Sequence, residues 1–213
     1  MHQILIYSDS LTWGIIPNTR KRLNFDERWP GVFENKLIGE GYSVRVIENS
    51  LNGRRTVWND PFKSGRKGLE GLSEAIEINS PVKLVILMLG TNDFQNSHNI
   101  DSFQSSRGVQ RLIQEIKKSP IEPDMPKPEI MVVCPPKIEN PKGNMELKFQ
   151  DAKDRWQEFN QDLEAVAKEE SVHYYDSNNV IQCSNLDGIH LDAKEHKILG
   201  KALANKVKEK ICL

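Results

Sequence analysis

The sequence predicts a doubly wound α/β sandwich, on three observations. Short β-rich apolar runs recur along the chain, longer amphipathic segments separate them, and the runs at 83–89 and 130–134 are nearly continuous in Ile, Val and Leu. Unbroken apolar runs of this length suit strands buried on both faces, as in a parallel sheet. Their alternation with helical patterns implies crossover helices packed on that sheet.

The first strand is expected over 3–7, Gln-Ile-Leu-Ile-Tyr, and it stops in the turn Ser8-Asp9-Ser10. A helical pattern follows at 29–39, with Gly39 and Gly41 as stop residues. Strand 43–48 precedes a helical pattern at 64–79, and strand 83–89 precedes another at 104–118. Residues 119–128 hold four prolines and read as an extended crossover within the domain rather than a linker between domains. Strand 129–134 leads into an irregular stretch, 135–150, long enough to be a functional insertion. A helix over 151–170, a strand over 172–175 and a helix over 193–210 complete the series. In the last helix Leu199, Leu203, Val207 and Ile211 form an i, i+4 stripe that should dock on the sheet. A chain of 213 residues without repeats or low-complexity tracts fits one domain spanning 1–213.

Composition narrows the function classes. Formal net charge is −1, with Lys and Arg balanced by acids throughout, so nucleic acid is not implied as a partner, although a local patch is compatible with that balance. Met1-His2-Gln3 runs directly into four apolar residues, too few for a secretory segment or a membrane span. Cys134, Cys183 and Cys212 are scattered and form no Cys-x-x-Cys, which argues against a disulfide framework or a zinc knuckle and for a reducing, cytoplasmic setting. No cofactor or metal is called for.

The chemistry collects beyond the carboxyl ends of the strands, where open α/β sheets bind ligands. Ser10 follows the first strand, Asn49 to Gly53 the second, Gly90-Thr91-Asn92-Asp93 the third, and Asp187-Gly188-Ile189-His190 the fifth. A hydroxyl, an imidazole and an orienting carboxylate are the parts of an activated serine nucleophile. Ser10 would attack, His190 would act as general base, and Asp187 would fix the imidazole tautomer. Donors for a tetrahedral oxyanion are available from the backbone N–H groups of Ser10 and Gly53 and the Asn92 amide.

On these residues the sequence resembles the SGNH hydrolases, also called the GDSL lipase/esterase family. Its Gly-Asp-Ser-Leu motif is similar to Ser8-Asp9-Ser10-Leu11, its second block to the segment Glu48 to Thr56 with Gly53 as oxyanion donor, its Gly-x-Asn-Asp to Gly90-Thr91-Asn92-Asp93, and its Asp-x-x-His to Asp187-Gly188-Ile189-His190. The runs Ser10-Leu11-Thr12-Trp13-Gly14, Arg28-Trp29-Pro30-Gly31 and Leu89 to Asp93 resemble the arylesterase/acyltransferase branch most. Two positions depart from the pattern: Ser8 replaces the first glycine, and Ser50 stands where that branch often has glycine. The resemblance implies a flavodoxin-like three-layer sandwich with a five-stranded parallel sheet flanked by helices. It also implies a serine esterase for short acyl, acetyl-type esters, with water or an alcohol as acceptor and possible self-assembly into a homo-oligomer. Carbohydrate acetylesterase and lysophospholipase or thioesterase activities are variants on the same fold.

Two other classes compete. A flavodoxin-like binding module would use Ser8, Ser10 and Thr12 as a phosphate cradle and would leave Asp187 and His190 unexplained. A metal-dependent hydrolase would gather Asp9, Asp93, Asp187 and His190 around a divalent ion, without a second histidine at ligand spacing. Trp13, three residues past Ser10, either packs in the core or forms a wall of the substrate pocket. Ile138, Met145, Leu147 and Phe149 are candidates for a second apolar wall. Arg54 and Arg55 read as salt-bridged or solvated rather than as substrate contacts. His98, His173 and His196 read as structural or solvated. Ser64 to Lys67 and Ser80 to Lys83 match Ser-x-x-Lys by chance only.

Overall fold

The computed structural model describes Met1–Leu213. Five parallel strands, β1 (His2–Ser8), β2 (Val44–Ser50), β3 (Val82–Met88), β4 (Glu129–Cys134) and β5 (His173–Asp176), form one sheet in the order β2-β1-β3-β4-β5. The winding direction reverses between β1 and β3, which opens a crevice at the carboxyl ends of those strands.

Helices cover both faces. On one lie α2 (Trp29–Gly39) and α8 (Ala193–Lys210), over a core that includes Ile4, Ile6, Phe33, Leu84, Leu199, Leu203 and Val207. The stripe expected on the last helix is therefore buried, Ile211 included. On the other face α3 (Leu72–Asn79), α4 (Ser102–Lys118) and α7 (Phe159–Glu169) cover Leu5, Val85, Leu87, Ile113, Val132 and Leu163. Central strands thus contribute side chains to two separate cores, which is why their sequences are apolar at successive positions. Three short helices complete the chain: α1 (Ser10–Trp13), α5 (Asn144–Lys148) and α6 (Ala152–Trp156).

Two helical expectations are corrected. Residues 64–71 are not helical: Lys67 bridges to Arg55, and Tyr7 Oη donates to Gly68 O at 2.8 Å, so this segment is spent on capping the sheet. The expected helix over 151–170 is broken between Trp156 and Phe159. Both rings turn into the core and pack edge-on with centroids 5.8 Å apart, and Phe159 also meets Phe94 at 5.1 Å. No helix is long and apolar enough to cross a membrane.

Candidate active site

β1 ends at Ser8, and Asp9 then caps α1, its Oδ1 accepting from the Leu11 N–H at 3.0 Å. Ser10 is therefore the first helical residue, at the crevice. Ser8 does not distort this turn. It keeps a negative φ, and its hydroxyl donates to Met88 O at 2.6 Å while accepting from Thr12 Oγ1 at 2.7 Å. Trp29 Nε1 extends the chain by donating to Thr12 Oγ1 at 3.1 Å. Ser8 and Thr12 are fully buried and bonded inward, so they cannot serve as a phosphate cradle.

Ser10 Oγ lies 3.2 Å from His190 Nε2, and His190 Nδ1 lies 2.7 Å from Asp187 Oδ2. Burial by itself would raise the Asp187 carboxyl. The His190 side chain and the N–H groups of His190 (2.9 Å) and Ile189 (3.0 Å) outweigh it and hold the pKa at about 2. An ionised Asp187 can only accept, which assigns the proton to Nδ1 and leaves Nε2 to accept from the Ser10 hydroxyl. Gly188 makes this loop possible. Its φ is +74°, and a Cβ there would lie 2.1 Å from Asn140 O.

Gly53 reaches the crevice in a turn with φ +82°, beyond the end of β2. Neither its N–H nor that of Ser10 is bonded to any acceptor in the protein. Asn92, in the 3₁₀ turn Thr91–Phe94 after β3, faces the same space. Gln95 Nε2 donates to Asn92 Oδ1 at 2.7 Å, which orients the amide. Asn92 Nδ2 then donates to Asp9 Oδ2 at 2.8 Å and to Arg54 O at 3.1 Å. Burial pushes the Asp9 carboxyl up to about 6, against the Leu11 N–H, His190, Arg54 and Asn92.

Ser10, Trp13, Gly53, Asn92 and His190 line one cleft of about 240 Å³, with Asp187 directly behind His190. Met145 and Phe149 supply an apolar wall from the 135–150 segment. Ile138 goes instead into the core, and Leu147 is 76% exposed, so those two are not part of the wall. Arg54 is neither solvated nor salt-bridged. It is buried, donating from Nη1 to Ser8 O (2.9 Å) and Asn49 O (2.6 Å) and from Nη2 to Asn49 Oδ1 (2.8 Å), and it stacks on Tyr7 at 3.9 Å. It ties the ends of β1 and β2 together beneath the cleft. Arg55 is also buried, on Gln95 and Ser97, with Asp60 at 3.8 Å.

Asp93 turns away from the cleft, accepting from Thr56 N (2.9 Å), Thr56 Oγ1 (2.6 Å) and Ser105 Oγ (2.8 Å). With Asp9 engaged by Asn92 and Asp187 by its own loop, these carboxylates do not converge with His190 on one point, and the four-ligand metal arrangement is not formed. His196 is structural, accepting at Nδ1 from the Trp29 N–H at 3.2 Å, and His173 pairs with Glu129 at 2.9 Å.

The model of the GDSL-like Lipase/Acylhydrolase family matches residues 9–198, which span all of these segments. The chain belongs to that family. Among solved structures, the M. smegmatis aryl esterase superposes with a TM-score of 0.92 at 30% identity, covering 98% of this chain and 99% of that one. A carbohydrate acetylesterase from Sinorhizobium meliloti gives 0.92 at 29% identity over 98% and 99% of the two chains. A second carbohydrate acetylesterase family member from that organism gives 0.91 at 27% identity over 98% of each. No curated protein matches the sequence. The fold is that of the SGNH hydrolases, and the chain is a carboxylic ester hydrolase.

Proposed function

We propose that this SGNH hydrolase cleaves short-chain, acetyl-type esters through a covalent acyl-Ser10 intermediate. The observation that carries the proposal is the line Asp187–His190–Ser10, with contacts of 2.7 and 3.2 Å, opening onto a cleft where two backbone N–H groups stand unpaired. His190 Nε2 takes the hydroxyl proton as Ser10 Oγ attacks the ester carbon, then returns it to the leaving alkoxide. Water or an alcohol repeats the sequence in reverse and releases the acid or a new ester. Asp187 stays ionised and stabilises the transient imidazolium.

The tetrahedral oxygen is received by the N–H groups of Ser10 and Gly53 and by Asn92 Nδ2. Both Asn92 amide protons already have acceptors. The oxyanion must draw one away from Arg54 O, the longer contact at 3.1 Å, while Asp9 keeps the other. Donation thus strengthens as negative charge develops, which favours the transition state over the bound ester.

Acetyl, butyryl and octanoyl esters of one phenol, assayed alongside labelling with an organophosphonate, test this reading. Phosphonylation of Ser10 and a rate that falls from acetyl to octanoyl are expected. Labelling of a different serine in the native protein, or a maximum at octanoyl, would overturn it.

A further inference from the structure

The mouth of the cleft carries charges that acyl transfer at Ser10 does not require. Arg20, Lys63 and Lys148 line it, together with Asp60. They arrive from three unconnected segments: the loop after α1, the loop after β2, and the last residue of α5. Cations at the nearby end of β2 have carboxylates to meet, Arg22 and Arg28 both reaching Glu48 at 3.1 and 2.6 Å. Arg20, Lys63 and Lys148 have none, and no side-chain atom of theirs is hydrogen-bonded; Lys148 Nζ only hovers 5.8 Å from the Phe149 ring.

One Asp60 carboxylate cannot neutralise all three. Its Oδ2 lies 3.8 Å from the wholly buried Arg55 Nη2, and its Oδ1 accepts from the Phe62 N–H at 2.9 Å. Asp60 is therefore shared between Arg55 and the trio, and the opening, with three cations to one carboxylate, keeps an excess of positive charge in a chain whose formal net charge is −1. They are close enough to feel each other: the Lys148 ammonium is lowered first by desolvation and then, against Asp60, by Arg55, Lys63 and Arg20. A like-charged trio held at one opening is unfavourable for the free protein and relieved by an anion.

We propose that the substrate of this site is a short ester bearing a fixed negative charge a few atoms from the scissile carbonyl, with that charge held by Arg20, Lys63 and Lys148. This rests on the esterase reading and specifies its substrate class. Arg20 offers a planar fork matched to a carboxylate or a phosphate, and the two lysines are mobile point charges. All three side chains are exposed, so each contributes modestly and the effect is screened by salt.

Two matched pairs test it. The anion lies in the alcohol half of 4-acetoxyphenylacetate and in the acyl half of phenyl hydrogen glutarate, and the neutral partner of each is the corresponding primary amide. In dilute buffer kcat/KM should favour the anionic member of at least one pair by about tenfold, and the ratio should shrink toward one in about 0.5 M salt, where the screening length is only a few ångströms. Arg20→Gln/Lys63→Gln/Lys148→Gln should collapse the ratio, while Lys63→Arg/Lys148→Arg should retain it. A wild-type ratio at or below one in both pairs overturns the proposal, as does a preference that survives the triple glutamine variant. If neutral esters are hydrolysed with Ser10 labelled and no anion preference, this inference alone fails. If no ester is hydrolysed and Ser10 stays unlabelled, the esterase reading fails and takes this one with it.

Discussion

On the floor of the cleft Ser10, Asn92, Asp187 and His190 are 7%, 4%, 2% and 6% exposed and their side chains are bonded to one another or to neighbours, whereas at the mouth Arg20, Lys63 and Lys148 are exposed and unpaired. On the proposed function the difference separates two tasks. Charge that develops during acyl transfer is met best by dipoles fixed beforehand, because they need not reorganise when the reaction occurs. Selecting a substrate needs no such rigidity, and charged side chains on mobile stems can follow ligands of differing shape. Mutations on the floor should therefore act on kcat, and mutations at the mouth on relative kcat/KM.

The largest effects should come from the floor. Ser10→Ala is expected to lower kcat by at least about 10³ while far-UV circular dichroism stays native, since its hydroxyl carries no structural bond beyond that to His190. His190→Ala should be comparable, and Asp187→Asn milder, because it alters tautomer and charge without deleting the base. Near-wild-type turnover in His190→Ala would break the division between floor and mouth at its root.

Next in size is the Asn92 amide. Asn92→Ala should lower kcat by about 10² with little change in KM, because its donation is realised only as the oxyanion forms. Asp9→Asn removes the carboxylate that holds one amide proton and should reproduce part of that loss. A variant of either residue that raised KM alone would move Asn92 from the floor's role to the mouth's.

The contrast also explains how much was legible in the sequence. The strands were, because burial on both faces forces runs such as Leu84 to Met88 to be apolar throughout. So was the meeting of Ser10, Asn92 and His190 in one cleft with Asp187 against the imidazole, because all four follow strand ends that a parallel sheet brings to one rim. Arg54 was not. An arginine beside a turn looks like any surface charge, and only its three short contacts to Ser8 O, Asn49 O and Asn49 Oδ1 reveal a buried strut. The mouth was hidden for another reason. Arg20, Lys63 and Lys148 are far apart in sequence within a balanced composition, and only folding brings them to one opening. The false helix over 64–71 shows the same limit, since periodicity does not register a backbone held by Tyr7 Oη and the Arg55 bridge.

Beneath the floor, His196 and Asp9 make a prediction about stability. Burial, with Arg28 and His190 nearby, lowers the His196 pKa to about 3 from an ordinary 6.5. Below about 6.5 the unfolded chain takes up a proton that the native state refuses, so this group removes stability as pH falls toward 3. Asp9 acts in the opposite sense. Its carboxyl is raised to about 6 from 3.8, so the native state binds the extra proton and gains stability as pH falls through that window. The two should nearly cancel between about pH 6 and 4.5 in urea melts. His196→Asn keeps an acceptor for the Trp29 N–H and removes the titration, so its stability should rise toward acid across that interval. A profile parallel to wild type would show that His196 is not held neutral.

The smallest effect concerns the border between floor and mouth, where Trp13 stands half-buried with Arg22 stacked 4.8 Å over its ring. Trp13, Met145 and Phe149 line the same cleft, so on the proposed function the three would set the width available to an acyl chain. Each buried methylene is worth about 0.8 kcal/mol, roughly fourfold in kcat/KM, wherever a channel admits it. A closed wall should make activity fall from acetate to octanoate esters. Trp13→Ala should flatten or reverse that fall by a few-fold at butyrate and octanoate while changing acetate least, because the acetyl methyl does not reach the removed ring. A purely structural tryptophan predicts something else: all three rates scaled down together and a lower melting temperature. The chain-length profile of this variant therefore distinguishes a wall of the pocket from a piece of the core.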